Sequence, residues 1–199
     1  MSSLAVIDNG GGNVASVRFA LERLGVSAVL TADAERVAGA ERVILPGVGA
    51  AREAMRRLAA AGLDRLIPTL RQPVLGICLG MQLLFDASEE GPASCLGIFK
   101  GVAARLGAGG DLPVPHMGWN QLEPVRPSPL LQGITRGAYA YFVHSYALPL
   151  GPDTVATCEY GSVFTAVVSR GNFHGVQFHP ERSAATGARL LANFLTLRA

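Results

Sequence analysis

Short apolar runs alternate with helical patterns through the first half of the chain, and this alternation limits the possible folds more than any other feature. The apolar runs predict buried strands at residues 4–7, 26–30, 42–45 and 74–77. The helical patterns predict one helix at residues 50–61, before Gly62, and an earlier one on Val14, Val17, Leu21 and Leu24, before Gly25. Alternation of this kind is typical of βαβ units, so we expect a parallel sheet with flanking helices.

The second half has a different pattern, in which strands follow one another with few helices. Predicted strands cover residues 98–106, 117–125, 139–148, 155–160, 163–169 and 173–178, with a hairpin turn at 170–172. A closing helix is predicted from the spacing of Leu190, Leu191, Phe194 and Leu197. The sequence contains no repeat or linker. We therefore predict one α/β domain over residues 1–199, built on an open, mostly parallel mixed sheet that the second half extends.

Charge and composition limit the classes of binding partner and the cellular compartments that suit this chain. Seventeen basic and fifteen acidic residues give a net charge of +2, and the basic residues are scattered singly. This argues against nucleic acid or an acidic membrane surface as a partner. No apolar run approaches the roughly 18 residues that span a bilayer, and the N-terminus lacks the basic region and cleavage site of a secretory signal. The sequence thus predicts a cytoplasmic protein without a membrane segment.

The three cysteines have no CxxC spacing, which argues against a disulfide framework or a zinc site. One of them lies in the pattern G-x-C-x-G at residues 76–80, between a predicted strand and the helical run 81–85. Glycines at these places permit a strained strand-to-helix turn that presents a nucleophile, and the start of a helix favours a thiolate. A cysteine in such surroundings is also often a small core residue. The pattern alone leaves both interpretations of Cys78 open.

A second polar motif, Gln-Phe-His-Pro-Glu, follows a predicted strand at residues 177–181. On an extended segment His179 and Glu181 point to the same side, and Pro180 keeps the preceding residue extended. The acid can then orient the imidazole towards a thiol. An isolated segment of this kind is often a surface turn, but together with the G-x-C-x-G pattern it predicts a triad of Cys78, His179 and Glu181. Cys95, Cys158, His144 and His174 are interpreted as structural residues.

Attack of a thiolate on a carbonyl also requires donors for the oxyanion. One predicted donor is the N–H of Leu79, directly after the nucleophile, and the other comes from the loop at residues 46–49, at Val48. The glycine run at residues 10–12 is interpreted as a structural turn, because no Gly-Lys-Ser/Thr or dinucleotide fingerprint follows it.

These motifs, in this order, resemble those of the class I glutamine amidotransferases over essentially the whole chain. Within that family the chain is most similar to glutaminase subunits of imidazole glycerol phosphate synthases. The segments that carry this resemblance are Leu-Pro-Gly-Val-Gly at 45–49, Gly-Ile-Cys-Leu-Gly-Met-Gln-Leu-Leu at 76–84, Pro-His-Met-Gly-Trp-Asn at 115–120 and Tyr-Phe-Val-His-Ser-Tyr at 141–146. The chain departs from the family at residues 7–10, where Ile-Asp-Asn-Gly replaces the usual Ile-Asp-Tyr-Gly.

The resemblance implies an activity and a set of roles. Cys78 would attack the side-chain amide of glutamine and form a thioester, with His179 as general base and acid and Glu181 as its orienting partner. Glutamine would be bound by Gly47, Gly49, Gln82, Ser145 and Tyr146. The released ammonia would pass to a (βα)8-barrel cyclase in a heterodimer, with His116, Trp119 and Tyr141 near the interface. No metal or organic cofactor is implied.

Three other interpretations remain open at this stage. The chain could be the glutaminase of another synthase, such as those that make pyridoxal phosphate or anthranilate. It could be a stand-alone elbow hydrolase or cysteine peptidase, or a catalytically silent binding module that kept the fold.

Overall fold

A computed structural model describes residues 3–10, 14–107 and 112–198. The strands of this part of the chain are β1 (Leu4–Ile7), β2 (Ala28–Thr31), β3 (Arg42–Gly47), β4 (Val74–Cys78), β5 (Ala87–Ser88), β6 (Ala93–Ser94), β7 (Val102–Arg105), β8 (His116–Pro124), β9 (Ala138–His144), β10 (Tyr146–Ala147), β11 (Thr154–Tyr160), β12 (Ser162–Arg170) and β13 (Phe173–Val176).

The α-helices of the described ranges are α1 (Val14–Arg23), α2 (Ala34–Ala38), α3 (Ala51–Ala60), α4 (Leu63–Leu66), α5 (Leu79–Leu83) and α6 (Ala184–Thr196). Short 3-10 helices cover Ile67–Thr69, Pro129–Leu131 and Pro180–Arg182. The longest helix, α6, has 13 residues, and within the described residues no helix combines the length and the apolar character needed to cross a bilayer.

Nine of the strands form one mixed sheet in the order β2-β1-β3-β4-β13-β12-β11-β8-β9. The five strands from β2 to β13 run parallel, and the remaining four continue the sheet in antiparallel pairs. A smaller sheet has the order β10-β7-β5-β6. The predicted fold class is confirmed. The strand that ends at Cys78, β4, lies near the centre of the large sheet, between β3 and β13.

Helices cover both faces of the large sheet, because successive side chains of a buried strand point to opposite sides. In β1, Leu4 and Val6 belong to the apolar cluster that contains buried residues of α1 and α6. Ala5 and Ile7 belong to a second cluster, with buried residues of α2, α3 and α4. The sheet is therefore buried on two sides around β1, which explains why its early strands are continuous apolar runs rather than alternating ones.

The predicted elements of the first half are confirmed, with small shifts of their ends. The helix after the glycine run is α1, and the predicted helix 50–61 is α3, with Gly62 in a left-handed conformation (φ 69°) after it. The predicted strand 26–30 begins two residues later, as β2. Two short helices, α2 and α4, were not predicted. The sequence does carry a signal for α2, because Asp33 caps it by accepting from the backbone N–H groups of Glu35 and Arg36.

Two of the strands predicted in the second half are wrong as continuous strands. Of residues 98–106, only those of β7 form a strand, because Gly97 (φ 66°) and Gly101 (φ 137°) turn the preceding chain. Residues 139–148 break at Ser145 into β9 and β10, which belong to different sheets. The expectation that the whole second half extends the large sheet is therefore wrong for β7 and β10. The break at Ser145 matters for function, because it brings residues 143–146 to the cavity beside Cys78.

Candidate active site

Cys78 occupies the predicted nucleophile elbow. It is the last residue of β4, directly before α5, and its backbone has φ 53° and ψ −113°. A residue with a side chain rarely adopts such a positive φ, and the surrounding structure must hold it there. The flanking glycines are required by space: a Cβ on Gly76 would lie 2.6 Å from the carbonyl oxygen of Gly80, and one on Gly80 would overlap the carbonyl oxygen of Leu45.

His179 and Glu181 form the second part of the site. Oε1 of Glu181 lies 2.8 Å from Nδ1 of His179, and its side chain is fully buried. The pairing was predicted, but the predicted geometry is wrong in one respect. Only His179 is extended (φ −96°, ψ 97°), because Pro180 begins a 3-10 turn, and that turn carries the carboxylate to the ring nitrogen.

The backbone around His179 is fixed by β9 and α6. Its N–H donates to the carbonyl of Tyr141 (2.9 Å), while Ser183 Oγ donates to its carbonyl (2.7 Å) and accepts from the N–H of Tyr141 (2.9 Å). Gly187 lets α6 approach closely, since a Cβ there would overlap the carbonyl oxygen of Pro180. Sequence reasoning found neither Ser183 nor Gly187, because both act through contacts with distant parts of the chain.

The electrostatics favour a charged imidazole at His179. Burial works against the charged form, but hydrogen bonds to Cys78 and Glu181, and the charges of both partners, outweigh it and raise the pKa of His179 to about 10. These contacts favour the protonated ring. Its Nδ1–H donates a hydrogen bond to Glu181, and its other ring N–H donates to the sulfur of Cys78. Because α5 has only five residues, this imidazolium is a more substantial support for a thiolate than the helix dipole.

The other histidines are neutral and hydrogen-bonded. Burial lowers the pKa of His144 to about 3 and those of His116 and His174 to about 4. His174 Nδ1 lies 2.9 Å from Ser169 Oγ, and His144 Nδ1 lies 2.8 Å from the carbonyl oxygen of Tyr146. Burial also raises the thiol pKa of Cys95 to about 11 and that of Cys158 to about 12, consistent with structural roles.

A cavity of about 500 Å³ opens over Cys78. It brings together most of the predicted site residues, and its lining consists of Val48, Gly49, Cys78, Leu79, Gln82, Glu90, Pro115, Val143, His144, Ser145, Tyr146, His179 and Arg182. Gly47 is not part of this lining. It pairs with Cys78 across β3 and β4, and a Cβ there would lie 2.8 Å from the backbone nitrogen of Gly80. Its contribution is therefore close packing of the elbow.

Two charged residues of the cavity were not predicted. Glu90 follows the short strand β5, and its loop has no pattern that would mark it. Burial raises the pKa of its carboxyl group, while a backbone hydrogen bond from Ala51 opposes that rise. Arg182 follows Glu181 directly and could have been suspected from that position. Among the described residues, no group of three or more His, Cys, Asp and Glu side chains is arranged to hold a metal ion.

The predicted interface residues lie outside the cavity, on β8 and β9. Trp119 is half exposed and faces Tyr141 across the strand pair, with ring centroids 5.9 Å apart. Met117 and Tyr139, on the same face, are also exposed. His116 differs, because its ring is buried against Phe142 and Tyr160. The ring therefore lies on the buried side of β8, where it cannot contact a partner directly.

The glycine turn can be described in part. Gly10 has φ 72°, and a Cβ there would lie 2.6 Å from Nη1 of Arg57, as expected for a structural turn. Residues 11–13 of the run lie outside the described ranges. Asn9, where the family usually has Tyr, is buried and donates to the carbonyl of Pro46 (3.0 Å). The Asn9 side chain thus anchors the loop that contains Val48.

The fold, the elbow and the buried acid–histidine pair define a glutamine amidotransferase of the triad class. The glutamine amidotransferase class-I family model matches residues 5–197, and the chain belongs to that family. Two solved structures share the fold at 21% identity. One is a putative GMP synthase subunit from Thermoplasma acidophilum (TM-score 0.74; 98% of this chain, 92% of the other), and the other is PurLQS from Thermotoga maritima (TM-score 0.75; 97% of each chain).

Closer relatives carry a more specific name. A protein of Xanthomonas campestris pv. campestris called imidazole glycerol phosphate synthase subunit HisH is 58% identical over 99% of this chain and 98% of its own length. One of Xylella fastidiosa with the same name is 56% identical over the full length of both. Within the class, the chain belongs with these HisH subunits.

Proposed function

We propose that the chain is the glutaminase subunit of an imidazole glycerol phosphate synthase. It hydrolyses glutamine to glutamate and ammonia at Cys78, and it supplies the ammonia to a (βα)8-barrel cyclase subunit in histidine biosynthesis. The observation that carries the proposal is the arrangement of His179 between Cys78 and the buried Glu181, beside a cavity of about 500 Å³. A cavity of this volume is ample for an amino acid.

In the first half of the reaction, the Cys78 thiolate attacks the side-chain amide carbon of glutamine. A carbon–sulfur bond forms and the carbonyl oxygen becomes an oxyanion. When the tetrahedral intermediate collapses, the carbon–nitrogen bond breaks and the His179 imidazolium gives its proton to the leaving nitrogen. The products of this half are ammonia, a glutamyl thioester and neutral His179.

In the second half, neutral His179 takes a proton from a water molecule as that water attacks the thioester. The carbon–sulfur bond breaks, glutamate leaves, and the thiolate–imidazolium pair is restored. Glu181 keeps Nδ1 protonated in both halves, so that the opposite ring nitrogen always serves the reacting atoms. Val48 and Leu79 line the cavity beside Cys78, and we assign their backbone N–H groups to the oxyanion in both halves.

The amino-acid end of glutamine carries two charges, and the cavity wall offers a side chain of each sign. We assign Glu90 to the α-ammonium group and the exposed Arg182 to the side of the α-carboxylate, because each lies in the cavity wall and carries the charge opposite to that group. Gly49, Gln82, Ser145 and Tyr146 complete the site through polar atoms of the cavity wall.

The cyclase is proposed to dock on the face of β8 and β9 that carries Met117, Trp119, Tyr139 and Tyr141. These large side chains share one side of the strand pair, and three of them are at least half exposed. Exposed aromatic side chains grouped in this way are typical of binding hot spots. His116 is proposed to stabilise this strand pair from its buried side, where its ring stacks on Tyr160.

The test of the nucleophile is Cys78→Ala. The proposal predicts that this variant loses glutamine-dependent ammonia release while it still binds the cyclase. Cys158→Ala, which removes a buried thiol that does not line the cavity, is the matched control and should keep the activity. Unchanged ammonia release by Cys78→Ala would refute the proposed chemistry. Turnover of peptides or esters without a partner would instead favour a stand-alone hydrolase.

A further inference from the structure

The side chain of Gln177 is fully buried, and its Nε2 atom lies 3.7 Å from Sγ of Cys78. Gln177 follows the last residue of β13, the neighbour of β4 on the side opposite β3. Val176 pairs with Ile77 in the parallel register, so the next residues, Gln177 and Cys78, lie side by side at the carboxyl ends of the two strands. The mechanism described above does not use Gln177.

The orientation of the Gln177 amide is fixed by its neighbours. The carbonyl oxygen of Tyr146 can only accept, so Gln82 must present Nε2 to it, at 2.9 Å. The same nitrogen lies 3.0 Å from Oε1 of Gln177 and donates its second hydrogen there. The NH2 group of Gln177 consequently faces the sulfur as a donor, and a flipped amide would place two NH2 groups against each other.

The sulfur lies between groups with opposite preferences. The carbonyl oxygen of Val143, 3.8 Å away, can accept a hydrogen bond only from the neutral thiol. The Gln177 amide can donate to a thiolate and stabilises it, since hydrogen bonds to charged groups are the stronger kind. The Gln177 contact therefore favours the thiolate, and the Val143 contact favours the neutral thiol.

We propose that Gln177 is a catalytic residue that stabilises the Cys78 thiolate through its side-chain NH2 group, and that Gln82 and the Tyr146 carbonyl hold it in that orientation. The inference deepens the proposed glutaminase function and rests on it. It gives Gln82 a second task besides substrate binding. Both hydrogens of its Nε2 are engaged, which leaves Oε1 for the substrate.

The test measures alkylation of Cys78 by iodoacetamide in the full chain, over a range of pH, by mass spectrometry of the peptide that contains it. Gln177→Met keeps the volume and removes the donor. We expect the pH profile of the alkylation rate to move about one unit higher, so that the rate falls about tenfold at pH values below the wild-type midpoint. Asn193→Leu, which removes a buried amide whose two hydrogen bonds go to the carbonyls of Leu130 and Gln132 outside the cavity wall, is the matched control and should leave the rate unchanged.

If Gln177→Met folds poorly, the alkylation rate of Cys78 in Gln82→Met provides a second test. Because Gln82 acts on the thiol through Gln177, its loss should slow alkylation less than tenfold and add nothing in the double variant. Modification of Cys158, which is buried in the folded chain, reports any unfolding. Wild-type alkylation rates in both folded variants would overturn the inference. Alkylation requires neither glutamine nor a cyclase, so this result is distinguishable from a failure of the proposed function, which would appear as absent ammonia release.

Discussion

The backbone carbonyl of Tyr141 accepts a hydrogen bond of 2.9 Å from the backbone N–H of His179. Tyr141 lies on the strand face proposed for the partner, and His179 is the proposed general base. The same strand continues to Val143, whose carbonyl oxygen contacts the Cys78 sulfur. A partner bound to β8 and β9 would therefore contact β9, the strand that holds the backbone of His179 and touches the sulfur of Cys78.

Loss of the Glu181 charge should reduce turnover strongly. In Glu181→Gln the side chain keeps its size, but the amide no longer stabilises the imidazolium and can hold the wrong tautomer. We expect kcat for ammonia release to fall about 10²- to 10⁴-fold with little change in KM. Steady-state kinetics with the cyclase present measures this. Glu159→Gln, at an exposed carboxylate on β11, is the control, and a change of only a few fold in Glu181→Gln would argue against a triad.

Truncation of Trp119 should weaken partner binding. It is the chain's one tryptophan and stands half exposed beside Tyr141. We expect Trp119→Ala to cost about 2 kcal/mol or more in binding free energy, which is a factor of roughly 30 in Kd. Titration calorimetry with the cyclase gives the value. Phe19→Ala removes an equally exposed aromatic ring on α1 and should bind normally; equal affinities of the two variants would place the interface elsewhere.

Stability should fall in mild acid, partly through His174. Burial lowers its pKa to about 4, whereas in the unfolded chain it titrates near 6.5, so below pH 6.5 the unfolded state binds the extra proton. The free energy of unfolding therefore decreases as the pH falls from 6.5 towards 4.

His174→Gln removes this contribution. Between pH 7 and pH 5 the variant should lose about 2 kcal/mol less stability than the wild type, as measured by urea unfolding. Ser169→Ala, which removes the hydroxyl partner but keeps the ring, should retain the wild-type pH dependence. An identical pH dependence in His174→Gln and wild type would show that the ring is not neutral and buried.

The parallel half of the fold could be predicted from the sequence because its signals are local. The strand ending at Cys78 is apolar throughout, and the glycines around Cys78 mark a turn that no other residue type allows. Where the prediction failed, long-range contacts decided the structure. The segment 139–148 is apolar enough for one strand, but its hydrogen bonds divide between β8 and β7, and the chain must break at Ser145 to serve both.

The pairing of His179 with Glu181 could be predicted for a similar reason, since Pro180 confines His179 to an extended conformation. No local sequence pattern indicates the remaining residues of the site. Glu90 reaches the cavity only because β5, which precedes it, packs against α5, and Gln177 lies beside Cys78 because of the lateral register of β13 against β4. His116 was expected at the interface from its motif, yet the alternation of side chains along β8 turns its ring into the core.

The most direct test of the proposed function is glutamine-dependent ammonia release by the purified chain, measured alone, with the cyclase, and with the cyclase and its ribonucleotide ligand. The structure of the site, with the Val143 carbonyl on the nucleophile and the base held by the partner-facing strand, predicts slow hydrolysis by the chain alone and strong stimulation when both the cyclase and its ligand are present. Full activity of the isolated chain, or no stimulation by an authentic cyclase with its ligand, would contradict the assignment.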